Sequence, residues 1–231
     1  MIKPPLHLLL SANGGYVDTA GYLALQGLFT SHVTGNFVTL GAALVLGTSG
    51  VVAKLLALPM FCLVVFATRL LSLGLPVMGW PALRSLLGLK LLLLVAGAGL
   101  AIDLGPFHNG DGWQALVTGM TLVAAMAIQN AVHRIHLSAS PPTTIMTGNT
   151  TQIMIDLADL TRRISPETRV LIRTRLARMW GSIAAFAVGC AAAALLYHLL
   201  GVWCFIVPPI VGLCNLCLPE SAPRSPQEAT A

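Results

Sequence analysis

Asp18 lies inside the apolar stretch that opens at Leu6, between Val17 and Thr19. A carboxylate in a bilayer interior costs at least a few kcal/mol on insertion scales, so such residues face polar cavities and take part in ion or proton movement. The alternative is a protonated or hydrogen-bonded Asp that locks two helices together. A tripeptide occurs twice, as Thr34-Gly35-Asn36 and Thr147-Gly148-Asn149, and each copy opens a short apolar segment. Thr and Asn cap helices, and Gly lets a ligand approach the backbone. Each copy therefore reads as the N-terminus of a half-helix inside the membrane, with unpaired N–H groups and a partial positive charge. A tight, capped interhelical turn is the plainer alternative. Gln129 and Asn130, with Thr151 and Gln152, can add hydrogen bonds around the same cavity; each alone would serve as glue between helices. His32 can titrate near neutrality, or sit as an interfacial polar residue. Lys90 and Arg69 read as span-end residues that snorkel. The expected ion- or substrate-binding set is Asp18, Thr34, Gly35, Asn36, Gln129, Asn130, Thr147, Gly148 and Asn149.

These residues need a membrane protein to position them. Of 231 residues, 56% are hydrophobic and 9% charged, against about 25% charged in soluble domains. Mean hydropathy is +0.82. The net charge of +5 does not point to nucleic acid, because Lys and Arg sit at the edges of apolar blocks. Eight apolar segments occur in two sets of four. The first set is Leu6–Phe29, Val33–Gly47, Val51–Leu75 and Leu83–Leu104. The second is Trp113–Arg134, Ile145–Leu160, Thr174–Leu200 and Val202–Leu218. The tripeptide opens the second segment of each set. Polar residues interrupt the first segment of each: Asn13, Asp18 and Gln26 in one, Gln129 and Asn130 in the other. This pattern is an internal duplication, with a first repeat over 1–108 and a second over 109–218. The polar stretch 219–231 is expected to be a disordered cytoplasmic tail.

Charge placement sets the number of crossings. If the two short segments dip in and return, six segments cross. Lys3, the Arg69/Arg84 loop, Arg134, the Arg162–Arg178 stretch and Arg224 then share one side, and Asp103 and Asp111 the other. Basic loops face the cytoplasm, which favours this arrangement over eight crossings. Three crossings per repeat require the second repeat to be inverted. Residues 165–178 read as an interfacial helix capped by Ser165, with Arg169, Arg173, Arg175 and Arg178 facing anionic headgroups. The N-terminus reads as the start of the first span rather than a cleavable signal. Cys214 and Cys217 form a C-x-x-C without the second pair that a zinc site requires, so no metal and no cofactor is expected.

The stretches Gly15-Tyr-Val-Asp18-Thr-Ala-Gly21-Tyr-Leu-Ala-Leu and Phe29-Thr-Ser31-His-Val-Thr34-Gly35-Asn36, with Gln129-Asn130-Ala131 and Thr147-Gly148-Asn149, resemble the YoaK-like family of bacterial membrane proteins of unknown function. The resemblance runs from about residue 10 to 215. It implies a bacterial inner-membrane protein of about six spans. Asn149 departs from a family pattern that often reads Thr-Gly-Thr. At fold level, extended chain leading into a half-helix once per repeat is similar to the core of nucleobase and sulfate transporters, an analogy that does not fix function. The expected function is a small secondary transporter, proton-coupled through Asp18, for a small polar or anionic solute. A channel with paired half-helices is the alternative. An intramembrane enzyme ranks last, because no paired carboxylates, metal-spaced His cluster or Ser–His pattern is present. The expected partners are a small solute and anionic lipid, not nucleic acid, and an oligomer is compatible with the sequence.

Overall fold

The computed structural model describes residues 5–217, and the residues described are helical, without strands. The elements are α1 (Leu6–Ala24), α2 (Asn36–Leu46) after a 3-10 turn (Val33–Gly35), α3 (Val51–Val77), α4 (Ala82–Leu104), α5 (Trp113–His136), α6 (Met146–Leu160), α7 (Pro166–Leu200), a second 3-10 turn (Gly201–Ile206) and α8 (Val207–Cys217). Among the described residues, four helical stretches are long and apolar enough to cross a membrane: Val51–Val77, Ala82–Leu104, Trp113–His136 and Pro166–Cys217. The surface is inside-out for a soluble protein. Val38, Val45, Leu63, Phe66, Val77, Leu92, Leu171 and Val188 are all more than half exposed, which only an apolar surrounding tolerates over so wide an area.

Sequence and structure differ at three places. α1 stops at Ala24 rather than Phe29. Gln26 and Gly27 take positive φ values of 55° and 81°, which end the helix and turn the chain back along it. The expected interfacial helix over 165–178 is not a separate element. Ser165 does cap it, accepting from the Thr168 N–H at 3.2 Å, but α7 continues unbroken for 35 residues. That is about 52 Å at 1.5 Å per residue, longer than a hydrocarbon core of about 30 Å. The four arginines also share no face. Arg169 and Arg173 lie on one side of α7, and Arg175 and Arg178 roughly opposite. Lys3, Arg224 and the tail lie outside the described residues.

The packing relates the two sets. α1 lies against α7, and its counterpart α5 against α3. α4 packs on α5, while α8 and its leading 3-10 turn pack on α1. α2 leans on α3 as α6 leans on α7, and α4 meets α8. The α1–α7 contact is backbone to backbone. A Cβ added at Gly189 would sit 2.0 Å from the Ala12 carbonyl oxygen, and one at Gly15 would sit 2.2 Å from that of Phe186.

Contacts at the two ends fix helix directions. At one end, Asp111 accepts N–H bonds from Gly50, Val51, Val52 and Ala53 at 2.7–3.3 Å. It thereby caps the first turn of α3 from the loop between α4 and α5. Burial would raise the Asp111 carboxyl, but these four bonds outweigh it and hold the carboxyl below its ordinary value. Gln26 donates to the Phe107 carbonyl at 2.9 Å, so the turn after α1 is at this end too. Lys54, also here, donates to the Gln26 and Ser49 carbonyls. At the opposite end, Leu10, Leu86, Leu87, Ile128 and Val132 form a cluster joined by Leu6, Leu75, Leu83, Leu137 and Leu216. α1 and α4 therefore run toward the Asp111 end, and α3, α5 and α8 run away from it.

Candidate functional site

The chain leaving α1 doubles back and is bolted to the helix by Asp18. Asp18 Oδ1 accepts the backbone N–H of Thr30 at 2.8 Å, of Ser31 at 2.7 Å and of His32 at 3.4 Å, and Thr30 Oγ1 donates to it at 3.3 Å. Asp18 Oδ2 faces His32 Nδ1 at 2.5 Å. The returning chain thus reaches the level of Asp18, six residues or about 9 Å below the end of α1. There it turns through Val33–Gly35 and climbs again as α2. Outside helices and sheets, buried backbone N–H groups need another acceptor. Asp18 supplies that acceptor. Its carboxylate is only 6% exposed, whereas the His32 ring is 38% exposed and opens into a cavity.

That cavity holds about 480 Å³ and is lined by Asp18, Thr19, Tyr22, Leu23, Phe29, His32, Gly35, Phe186 and Cys190. His32 meets the Phe186 ring edge-on at a centroid distance of 5.6 Å, and Tyr22 and Phe29 are 4.9 Å apart. The walls are aromatic and aliphatic, with one polar corner at Asp18 and His32. Nothing in the sequence pattern singled out Phe186 and Cys190. They come from α7, brought in by the close glycine crossing with α1.

The Thr-Gly-Asn copies act differently from the expected helix caps. Neither α2 nor α6 has a side-chain cap. Instead the Asn36 amide bridges back seven residues. Its Nδ2 donates to the Phe29 carbonyl at 2.8 Å, and its Oδ1 accepts the Phe29 N–H at 2.9 Å. Asn149 repeats the bridge in part, donating to the Pro142 carbonyl at 3.0 Å. Both side chains are 1% exposed and spent on their own loops. Thr34, Thr147 and Gly148 are exposed, and Gly35 alone of the six lines the cavity.

Around Asn130 a similar geometry recurs with other chemistry. Asn130 Oδ1 accepts from Thr144 Oγ1 at 2.6 Å, and Asn130 Nδ2 donates to the Met126 carbonyl at 3.0 Å. Asn130 thus pins the chain after α5 as Asp18 pins the chain after α1. It lines a separate cavity of about 410 Å³ with Phe61, Val65, Arg69, Ala131, Arg134, Ile135 and Ile145. The expected binding residues are therefore not gathered in one place: Asp18 and Gly35 line the first cavity and Asn130 the second. Gln129 faces neither. Its Oε1 accepts from Lys90 Nζ at 2.5 Å, and its Nε2 donates to the Leu10 carbonyl and Thr143 Oγ1. Lys90 does not snorkel, as it is 1% exposed in the middle of α4. Thr151 and Gln152 bond within α6, Gln152 to Asp156. Arg175 is drawn away from headgroups by a buried partner: its guanidinium pairs with both oxygens of Asp156, which is fully buried.

A family model matches residues 6–218, nearly the whole described chain. The chain belongs to the DUF1275 family of proteins of unknown function. No curated protein and no solved structure matches it. Membership in DUF1275 places the chain in an uncharacterised family without carrying the YoaK-like name, and the apolar helices mark it as membrane-like.

Proposed function

We propose that this protein is a small proton-coupled secondary transporter of the bacterial plasma membrane, with its first-repeat cavity as the solute site. The carrying observation is the buried Asp18 carboxylate, held by three backbone N–H groups and joined at 2.5 Å to a His32 ring that opens into an apolar cavity. Asp18 is committed as an acceptor to the returning chain, so His32 is the group that meets the cavity and exchanges a proton with it. A protonated His32 forms an ion pair with Asp18 and presents its ring to the cavity. An anionic or strongly polar end of a solute binds better beside that imidazolium, so solute and proton favour each other's binding. The aromatic walls suit a small solute with an apolar body and one such polar end.

The architecture is read as six crossings in two inverted repeats. α2 and α6 span 11 and 15 residues, about 16 and 22 Å, short of a core of about 30 Å. The exchange of packing partners between the sets supports the inversion, as does the grouping of Arg69, Arg84, Arg134 and the α7 arginines away from Asp103 and Asp111. Irregular chain at membrane depth, one per inverted repeat, is the layout of many transporters.

The test is a metabolite screen by thermal stabilisation of purified protein, followed by uptake of the stabilising solute into proteoliposomes with and without an inward proton gradient. Gradient-driven accumulation supports the proposal. Uptake that only equilibrates, whatever the gradient, favours a channel instead.

A further inference from the structure

We infer that the second-repeat cavity is a binding site for one anionic phospholipid. It opens between α3 and α5, where Phe61, Val65 and Arg69 follow one another at i, i+4 and i+8 on α3, and Asn130 and Arg134 stand at i and i+4 on α5. Both arginines lie in the last third of their helices, toward the end away from Asp111, so the two guanidiniums stand at one level. Both side chains are exposed, and neither has a carboxylate partner among the described residues. Below them the wall is apolar, formed by Phe61, Val65 and Ile145.

Two unpaired guanidiniums above an apolar groove match a phosphodiester above an acyl chain. Arg presents a planar fork to phosphate oxygens, and basic pockets between spans at the basic end of a membrane protein hold anionic headgroups. The equivalent first-repeat cavity has the opposite chemistry. There the polar corner is the Asp18–His32 pair, and no arginine lines the cavity to grip a phosphodiester. Asn130 cannot repel a phosphate, and its amide is already bonded to Thr144 and Met126. The site differs from the arginines of α7, of which Arg175 is paired with Asp156. It rests on α3 and α5 spanning a bilayer, not on transport.

The experiment uses the full chain, delipidated in detergent, and reads Tm on adding phosphatidylglycerol or phosphatidylcholine, with native mass spectrometry counting retained lipid. Phosphatidylglycerol is expected to raise Tm by several degrees and remain as one bound copy, and phosphatidylcholine to do neither. The R69Q/R134Q pair is expected to lose both effects, and R169Q/R173Q to keep them. Val65→Trp, which fills the apolar wall and leaves both arginines, is expected to lose the retained lipid. Equal stabilisation of wild type and R69Q/R134Q overturns the assignment, as does loss in R169Q/R173Q alone. Inorganic phosphate reproducing the full shift without lipid overturns the lipid as occupant.

Discussion

Asp18 has two tasks that ordinary substitutions confuse. It anchors the returning chain through Oδ1 and faces His32 through Oδ2. Asn keeps an acceptor for the N–H groups but removes the charge that favours a protonated imidazole. We expect Asp18→Asn to insert and fold, with a modest loss of Tm, and to lose gradient-dependent uptake. His32→Gln leaves the Oδ1 bonds in place, so it should lose the gradient dependence with Tm nearly unchanged. Wild-type coupling in His32→Gln would leave Asp18 as a structural bolt and remove the pair from the mechanism. The Asn pair gives a second residue-scale prediction. Asn36 makes two backbone bonds to Phe29, and Asn149 makes one to Pro142. At about 1 kcal/mol per bond, Asn36→Ala should cost about 2 kcal/mol and Asn149→Ala about 1, measured as unequal Tm losses in one detergent. Equal losses would mean the bridges do not carry the difference. Asp18 and both tripeptides stood out in the sequence because a carboxylate in an apolar run and a repeated tripeptide are local signals. Lys90 was misread for the converse reason. Its partner Gln129 lies 39 positions away, and a lysine in an apolar run looks the same whether it snorkels or is buried. Asp156 and Arg175 were missed as a pair because their contact depends on α6 folding back along α7.

At the scale of elements, α3 owes its N-terminus to the loop between α4 and α5. Gly50 offers no side chain to cap it, and Asp111, 61 positions away, takes up the exposed N–H groups instead. Replacing such a cap costs about 1 kcal/mol, so Asp111→Ala should lower Tm at pH 7. The sign with pH follows from the depressed carboxyl. Its stabilisation is complete above the ordinary value of 3.8 and disappears as pH falls through the lower folded value. Wild type should therefore lose Tm toward strongly acid pH more steeply than Asp111→Ala, and parallel curves would show that the cap carries no charge. The α1–α7 crossing is a second fastening between distant parts of the chain. Gly189→Ala forces two backbones apart, an overpacking of about 1–3 kcal/mol, and should also displace one wall of the first cavity, since Phe186 and Cys190 ride on the same helix. Segment boundaries were largely legible, since α3, α4 and α5 start and stop within two residues of their apolar runs. The end of α1 was not, because Leu25, Leu28 and Phe29 continue the apolar pattern through a turn set by positive φ at Gln26 and Gly27. The fusion of residues 166–178 with α7 was hidden by composition, as arginines at a membrane surface look alike on a flat-lying helix and on the projecting end of a span.

For the whole molecule, topology decides between a re-entrant and a fully crossing arrangement, and the helix directions make the outcomes distinct. The loop after α2 and the loop between the repeats share the Asp111 end, since Asp111 bonds Gly50. The loops flanking α6 share the opposite end if α6 returns to the side from which it entered. In a six-crossing chain with basic loops in the cytoplasm, single cysteines at Thr48 and His108 react with a membrane-impermeant maleimide from outside intact cells. Cysteines at Ser138 and Thr161 react only after permeabilisation. All four residues are exposed, so lack of reaction reports sidedness rather than burial. A Cys-free background is required, because Cys62, Cys214 and Cys217 are also exposed. If all eight apolar segments cross, Ser138 and Thr161 fall on opposite sides, because a crossing α6 separates them. That pattern would remove the inverted repeat, since four crossings per set leave both sets facing the same way. Labelling of His108→Cys only after permeabilisation, with Ser138→Cys and Thr161→Cys reacting from outside, would keep the re-entrant fold but reverse its orientation. The basic groove at Arg69 and Arg134 would then face the outer leaflet. The charge bias argues against that reversal. Lys54 is the basic residue that stands at the Asp111 end, and its ammonium is taken up by the Gln26 and Ser49 carbonyls, whereas Arg69 and Arg134 carry uncompensated charge at the other.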